Sequence, residues 1–160
     1  MPLRYVDPNK THGPVYRASV RFGRSGPGQF VGRRIQPRVD RVWSRLTRGR
    51  GMSFVRSAPL VTTGAKSGLR RRVQLAYFHD GRTAIVMASN YGGERQPQWY
   101  HNLKANPDCE LAGEPFRATQ VVDPDEYQRL FGLAVQVYAG WGDYRDRANR
   151  QFPIFRLEPR

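Results

Sequence analysis

The dipeptide Asp80-Gly81 stands between two short apolar runs, residues 72–79 and 82–88. Asp-Gly accepts the positive φ angles of a two-residue hairpin loop, so the two runs are predicted to pair as antiparallel strands. That sets aside an all-helical chain and a purely parallel sheet. Further strand patterns fall at 59–63, 109–111, 115–122 and 153–157, the middle two as another short hairpin. A helix is predicted over 97–104, with Trp99 and Leu103 on one face and Asn106-Pro107 as its stop. Asp123, Pro124 and Glu126 fall in the order N-cap, first-turn proline and N3 carboxylate. The helix they open carries Tyr127, Leu130, Phe131, Ala134 and Tyr138 along one side. About six strands with helices inserted between them predict a small, mostly antiparallel barrel of the α+β class. No internal repeat is visible.

Charge is distributed unevenly along this plan. Residues 1–72 hold 17 Lys and Arg against Asp7 and Asp40, whereas residues 73–160 are close to neutral. Such asymmetry points to an anionic partner: nucleic acid, an anionic membrane surface, or a ligand bearing phosphate and carboxylate groups. Residues 1–35, rich in Gly and Pro, read as an irregular basic arm, and residues 36–160 as the folded domain. Within that domain, residues 36–48 read as a basic amphipathic helix, with Val39, Val42, Trp43 and Leu46 on one stripe and Arg38, Arg41, Arg45 and Arg48 on another. The stripe is expected to pack on the domain, with membrane contact as the alternative.

A hydrophobic content of 39% and an aromatic content of 12% exclude a wholly disordered basic tail. The single cysteine, Cys109, excludes an internal disulfide and any multi-cysteine metal site, and is expected to be inert packing. With neither a membrane-length apolar run nor a signal-peptide core, the expected compartment is the cytoplasm.

Three segments could carry chemistry. In Val61-Thr-Thr-Gly-Ala-Lys-Ser-Gly-Leu-Arg-Arg-Arg72, two glycines allow a tight turn, and Lys66, Ser67, Arg70, Arg71 and Arg72 crowd donors around it in a way that suits phosphate. The spacing is neither that of the nucleoside-triphosphate P-loop nor that of the dinucleotide fingerprint, and a solvated basic hairpin would read the same way. In Ala88-Ser-Asn-Tyr-Gly-Gly-Glu-Arg-Gln-Pro-Gln-Trp-Tyr-His-Asn102, a strand ends in small polar residues and a helix follows, so backbone donors can converge on one ligand. His101 has no acidic or nucleophilic partner in sequence and reads as a hydrogen-bonded structural histidine. In Val137-Tyr-Ala-Gly-Trp-Gly-Asp-Tyr144, three rings recur at intervals of three past a helix end loosened by glycine. Rings so placed can roof a flat ligand or simply join the core. No serine-histidine-acid set and no metal-ligand spacing is present.

Taken in order, Thr62-Thr-Gly-Ala-Lys-Ser-Gly68, Ala88-Ser-Asn90, Pro97-Gln-Trp-Tyr-His-Asn-Leu-Lys-Ala-Asn-Pro107, Tyr138 to Tyr144 and Pro153-Ile154 resemble the deazaflavin-dependent nitroreductase and quinone reductase family of actinobacteria. The likeness runs from about Pro59 to Pro159, and its middle block, Trp-Tyr-x-Asn-Leu-x-Ala-Asn-Pro, is long and specific. The resemblance implies a split β-barrel that binds coenzyme F420, an 8-hydroxy-5-deazaflavin, and passes its hydride to quinones or nitroaromatic compounds. By matching position it implies that Lys66, Ser67 and Arg71 hold the coenzyme's phosphate. Met87, Ala88, Ser89, Asn90, Gln98, Trp99 and Asn102 would line its ring and side chain. Tyr138, Trp141 and Tyr144 would wall the acceptor pocket, with Ser89, Tyr138 or Tyr144 donating to the acceptor. Ala65, Asn90 and Trp141 depart from residues found in relatives, and these departures bear on the acceptor more than on the coenzyme.

The expected function is therefore hydride transfer from reduced F420 to a flat hydrophobic acceptor such as a menaquinone-like quinone, with FMN as the alternative cofactor and no metal. Contact with an anionic membrane through residues 1–50 would bring the enzyme to lipid-dissolved quinone. The alternatives are a binding or carrier protein without turnover, and a basic nucleic-acid-binding module, against which stands the lack of a groove-reading motif.

Overall fold

A computed structural model describes residues 3–10, 13 and 55–160. Contacts divide the chain into two units, Met1–Asn9 with Val55–Arg160, and Lys10–Phe54. The basic helix expected over 36–48, and the arm expected over 1–35 apart from residues 3–10 and 13, lie outside the described residues. The first unit contains all the described strands and helices.

Six strands, β1 (Ser57–Thr63), β2 (Arg70–Asp80), β3 (Thr83–Met87), β4 (Asp108–Leu111), β5 (Glu114–Gln120) and β6 (Ile154–Pro159), close into a barrel. Its order is β1-β2-β3-β6-β5-β4, and every pair is antiparallel. The hairpin at Asp80-Gly81 forms as predicted, with Asp80 opposite Thr83 and Gly81 at φ +60°. Three helices are inserted: α1 (Gln98–Ala105), α2 (Pro124–Val137) and α3 (Gly140–Ala148). The first two match the predicted helices. α3 does not, because Gly140 and Gly142 lower helix propensity and the segment reads as a frayed end; burial of Trp141 in the outer core fixes the helix instead.

The barrel divides its apolar side chains by strand alternation. In β3, Ala84 and Val86 face inward and join Leu60, Leu111, Phe116, Phe155 and Leu157. Ile85 and Met87 face outward, against α2 and α3, with Phe78, Phe131 and Ile154. With both faces covered, β3 has to be apolar at nearly every position, which is how residues 82–88 read in the sequence.

Trp99 and Leu103 of α1 join this interior cluster. Outside, α2 lays Tyr127, Leu130, Phe131 and Ala134 on the sheet, and burial of each of the large apolar side chains contributes on the order of 2 kcal/mol. Its start is capped as predicted, with the Glu126 N–H donating to Asp123 Oδ1 at 2.8 Å. Arg129 holds the helix to Asp80 at the end of β2 through two bonds of 2.6 and 3.1 Å, which keeps the Asp80 carboxyl below the usual carboxylate range. Arg156 of β6 pairs with Glu126.

The first residues of the chain strap β2. The Val6 N–H donates to His79 Nδ1 at 3.0 Å, and the His79 N–H donates back to the Val6 carbonyl at 2.9 Å. The Tyr77 hydroxyl donates to the Arg4 carbonyl at 2.8 Å, and the Leu3 N–H to Glu114 Oε1 at 2.8 Å. Among the described residues no helix is long and apolar enough to cross a membrane.

Candidate functional site

The β1–β2 connection is a compact turn closed by its own backbone. The Gly64 N–H donates to the Leu69 carbonyl and the Gly68 N–H to the Gly64 carbonyl, both at 2.8 Å. Gly68 has φ +66°, a left-handed conformation that suits glycine and sharpens the reversal. The turn is also held from beneath by α1. The Asn102 side-chain amide donates to Thr62 Oγ1 at 2.9 Å, and its carbonyl oxygen accepts the Ala65 N–H at 3.0 Å. Asn102 and Thr62 are each only 2% exposed, so the bond between them forms in a dry setting where an orphaned partner is costly.

With the turn closed in this way, the backbone N–H groups of Lys66 and Ser67 have no acceptor among the described residues. The Lys66, Arg71 and Arg72 side chains have no carboxylate partner there either, whereas Arg70 is paired with Glu110 at 2.7 Å. Strand register then separates the arginines. Arg71 lies opposite Thr62, so it shares the face of the sheet on which Thr62 meets Asn102; Arg70 and Arg72, opposite Thr63 and Val61, lie on the other.

After β3 the chain enters a loop that leads to α1. The Ala88 N–H donates to the Pro153 carbonyl at 2.8 Å, and Asn90, at φ +47°, starts a single 3-10 turn over Asn90–Gly92. The Asn90 side chain folds back to donate to the Arg95 carbonyl at 2.9 Å. Ser89 is half-buried, and its hydroxyl has no partner among the described residues. Gly92 lies against Tyr144, so α3 packs directly on this loop.

The aromatic segment forms a cluster on α3 and the turn before it. Tyr138 and Trp141 meet edge to face with centroids 5.8 Å apart, and Tyr138 and Tyr144 at 6.1 Å. The two phenolic oxygens are 3.3 Å apart, either able to donate. Burial, then the neighbouring Tyr144, pushes the Tyr138 phenol well above its usual range, so it stays protonated as a donor. A Cβ on Gly140 would run into the Tyr138 ring, so the bare glycine sets where that ring lies.

The residues singled out in sequence therefore fall into distinct settings. Lys66, Ser67, Arg71 and Gln98 are exposed, while Ser89, Tyr138 and Tyr144 are half-buried. Ala88 and Trp99 sit in the barrel interior, Trp99 tilted against Phe155 with centroids 6.0 Å apart, and Met87 and Trp141 lie in the outer core. Asn102 spends both ends of its amide on the protein and Asn90 its donor on the loop, so their side chains shape the turn and the loop.

The sequence reads His101 as the hydrogen-bonded structural histidine, but the structure gives that place to His79. His101 is exposed and edge-on to Tyr100 at 5.1 Å, while His79 is the buried, hydrogen-bonded one. Cys109 is buried as expected, and burial, with Asp108 and Glu110 nearby, pushes its thiol up to about 12. Among the described residues no group of three or more His, Cys, Asp or Glu could hold a metal ion.

Sequence spacing does not point to Arg150. It follows Asn149, which ends α3 in a left-handed conformation at φ +43°, and its guanidinium meets the loop after β3. No spacing rule connects position 150 with positions 88–96; the faint local signal is an Arg beside an Asn-ended helix and just before Phe152.

Known proteins resemble this chain in sequence and in fold. The family model described as F420H(2)-dependent quinone reductase matches residues 33–159. An F420H(2)-dependent quinone reductase of Mycobacterium tuberculosis (strain ATCC 25618 / H37Rv) is 39% identical over 127 residues, covering 72% of this chain and 85% of that protein. Among solved structures, an F420-H2 dependent reductase, FDR-A, superposes with a TM-score of 0.56 at 28% identity, covering 66% of this chain and 99% of the other. A domain-swapped dimer superposes with a TM-score of 0.58 at 27% identity, covering 83% of this chain and all of the other.

Proposed function

The chain belongs to the F420H(2)-dependent quinone reductase family, a family of oxidoreductases, and from that premise we propose how its own residues hold coenzyme F420 and receive the quinone. The carrying observation is the β1–β2 turn, where two backbone N–H groups and the Lys66 and Arg71 cations, without an acceptor or carboxylate among the described residues, stand over an Asn102 pin. Unpaired cations around outward amides suit a phosphodiester and carboxylate tail, because each such contact is a charge-assisted hydrogen bond. The turn therefore fits the coenzyme's acidic side chain. The loop at Ala88–Asn90 then offers the Ser89 hydroxyl and backbone groups to the flat ring, and the half-buried Tyr138 and Tyr144, backed by Trp141 in the outer core, form a wall for the acceptor.

When bound, the deazaflavin supplies the hydride. The protein's part is orientation, exclusion of water and hydrogen bonding. The Tyr138–Tyr144 hydroxyl pair, with one proton free to point outward, donates to the acceptor's carbonyl oxygen as charge builds there. Ser89 is the second candidate donor. The high phenol pKa of Tyr138 makes it a hydrogen-bond donor rather than a base. A menaquinone-like quinone suits an aromatic wall better than a small polar acceptor does, and nitroaromatics share its flatness.

Titrating the full-length protein with F420 and with FMN, then adding a soluble quinone to the reduced complex, tests this reading. The expected result is tighter retention of F420 than of FMN and reoxidation of the coenzyme on adding quinone. Preference for FMN, or retention of F420 without reoxidation, overturns it.

A further inference from the structure

Arg150 makes an unusual set of contacts for a surface-facing arginine. Its Nε donates to the Gly93 carbonyl at 2.7 Å, Nη1 to Gln96 Oε1 at 2.8 Å and Nη2 to the Ser89 carbonyl at 3.0 Å. Longer contacts of 3.4 Å reach the Ala88, Arg95 and Gln151 carbonyls. The guanidinium carbon sits 4.7 Å from the centroid of the Phe152 ring. Each of the three nitrogens thus has its own acceptor on the loop between β3 and α1, and no carboxylate among the described residues neutralises the charge. Desolvation lowers the Arg150 pKa, in keeping with a cation held by neutral acceptors alone.

The geometry has a directional consequence. In a trans peptide the N–H points opposite to the carbonyl. The Ser89 carbonyl is turned toward Arg150, where it also accepts the Gly92 N–H at 2.9 Å. The Asn90 N–H therefore points away from the guanidinium, and it has no acceptor among the described residues. A cation at the carbonyl end polarises that peptide and strengthens its N–H as a donor.

We propose that Arg150 is the positioning residue of this redox site, clamping residues 88–96 from behind so that the Asn90 N–H and the Ser89 hydroxyl are presented to a carbonyl-bearing edge of a flat ring. The proposal rests on the proposed function, in which this loop faces the coenzyme. Lysine cannot replace the arginine, because a single ammonium does not match three separate acceptors set around a planar fork. The role is indirect, since Arg150 acts through the backbone it holds.

The test compares Arg150→Met, Arg150→Lys and Arg150→Ala with the wild type by amide hydrogen exchange without coenzyme, and by F420 affinity and turnover. In Arg150→Met, exchange of the hydrogen-bonded loop amides of Ser89, Gly92 and Gly93 should rise at least about tenfold, the loss of one charge-assisted bond, with barrel amides unchanged. F420 affinity should fall by at least about tenfold as well, since the clamp sets the donors. Arg150→Lys should recover little of either, and millimolar guanidinium ion should restore Arg150→Ala, which a general loss of folding would not allow. Unchanged loop exchange in Arg150→Met, while F420 protects the same amides in the wild type, overturns this proposal alone. Faster exchange with F420 affinity kept within about twofold overturns the positioning role. If F420 leaves the wild-type loop amides unprotected, the site reading fails first, and the clamp's role toward the coenzyme with it.

Discussion

The Asn102 side chain joins α1 to both sides of the β1–β2 turn, donating to the Thr62 hydroxyl at 2.9 Å while accepting the Ala65 N–H at 3.0 Å. One buried amide thus sets the position of a turn whose own side chains are exposed. Asn102→Ala leaves the Thr62 hydroxyl unsatisfied in a dry setting and frees the more exposed Ala65 N–H, so unfolding free energy should fall by about 1–3 kcal/mol. F420 affinity, measured on the folded fraction by fluorescence titration, should fall in parallel. Unchanged affinity would show that the coenzyme does not depend on this turn.

Register separates two neighbouring arginines. Arg71 lies on the Thr62 face and Arg72 on the opposite one, and neither has a carboxylate partner among the described residues. Arg71→Ala should weaken F420 binding by about tenfold and flatten its salt dependence, whereas Arg72→Ala should stay within about twofold. Equal losses at both positions would mean that only the summed charge of the strand matters.

The phenol pair predicts a division between coenzyme and acceptor. Tyr138→Phe removes one hydroxyl of the 3.3 Å pair but keeps the ring against Trp141. Quinone kcat/KM should drop by about ten- to a hundredfold with F420 affinity unchanged, as expected for loss of a donor to developing charge. Gly140→Ala, whose added methyl displaces the Tyr138 ring, should act mainly through quinone KM. Steady-state kinetics at fixed reduced coenzyme will distinguish the two effects.

His79 predicts a pH dependence of stability. Burial lowers its pKa from the usual 6.5, and Nδ1 accepts the Val6 N–H, which only the neutral ring can do. The unfolded chain therefore binds this proton more readily than the native one. This contribution is present in full above the unfolded value and is lost as pH falls below about 6.5 toward the lower native value. Thermal stability, and exchange protection at the Val6 N–H, should decline between about pH 7 and pH 5 in the wild type. The decline should shrink in His79→Asn, whose side-chain oxygen can accept the same bond without titrating. Equal declines in both proteins would place the titration elsewhere.

Much of the fold was legible because its signals are local. Asp80-Gly81 needs only its own φ angles to turn the chain, and Asp123 needs only the N–H three residues ahead to cap α2. The nearly all-apolar β3 reports its burial on both faces directly. α3 was not legible, because its glycines argue against a helix and the reason it forms, Trp141 in the outer core, lies outside the segment. The site divides in the same way. Lys66, Ser67, Arg71, Ser89, Tyr138 and Tyr144 became candidates through the family resemblance, but the exposure and partners of each came only with the fold.

The sequence by itself determined an antiparallel barrel with a cationic turn, a polar loop after its third strand, and an aromatic segment near its end. Each of these follows from interactions within a few residues, where backbone angles, alternation and capping act. Tertiary structure alone decided that Asn102 ties the turn to α1, that Arg71 and not Arg72 takes the Thr62 face, and that Arg150 reaches back some sixty residues to hold Ser89. Those outcomes depend on strand register, barrel closure and the meeting of unpaired polar groups, which exist only once the chain has folded.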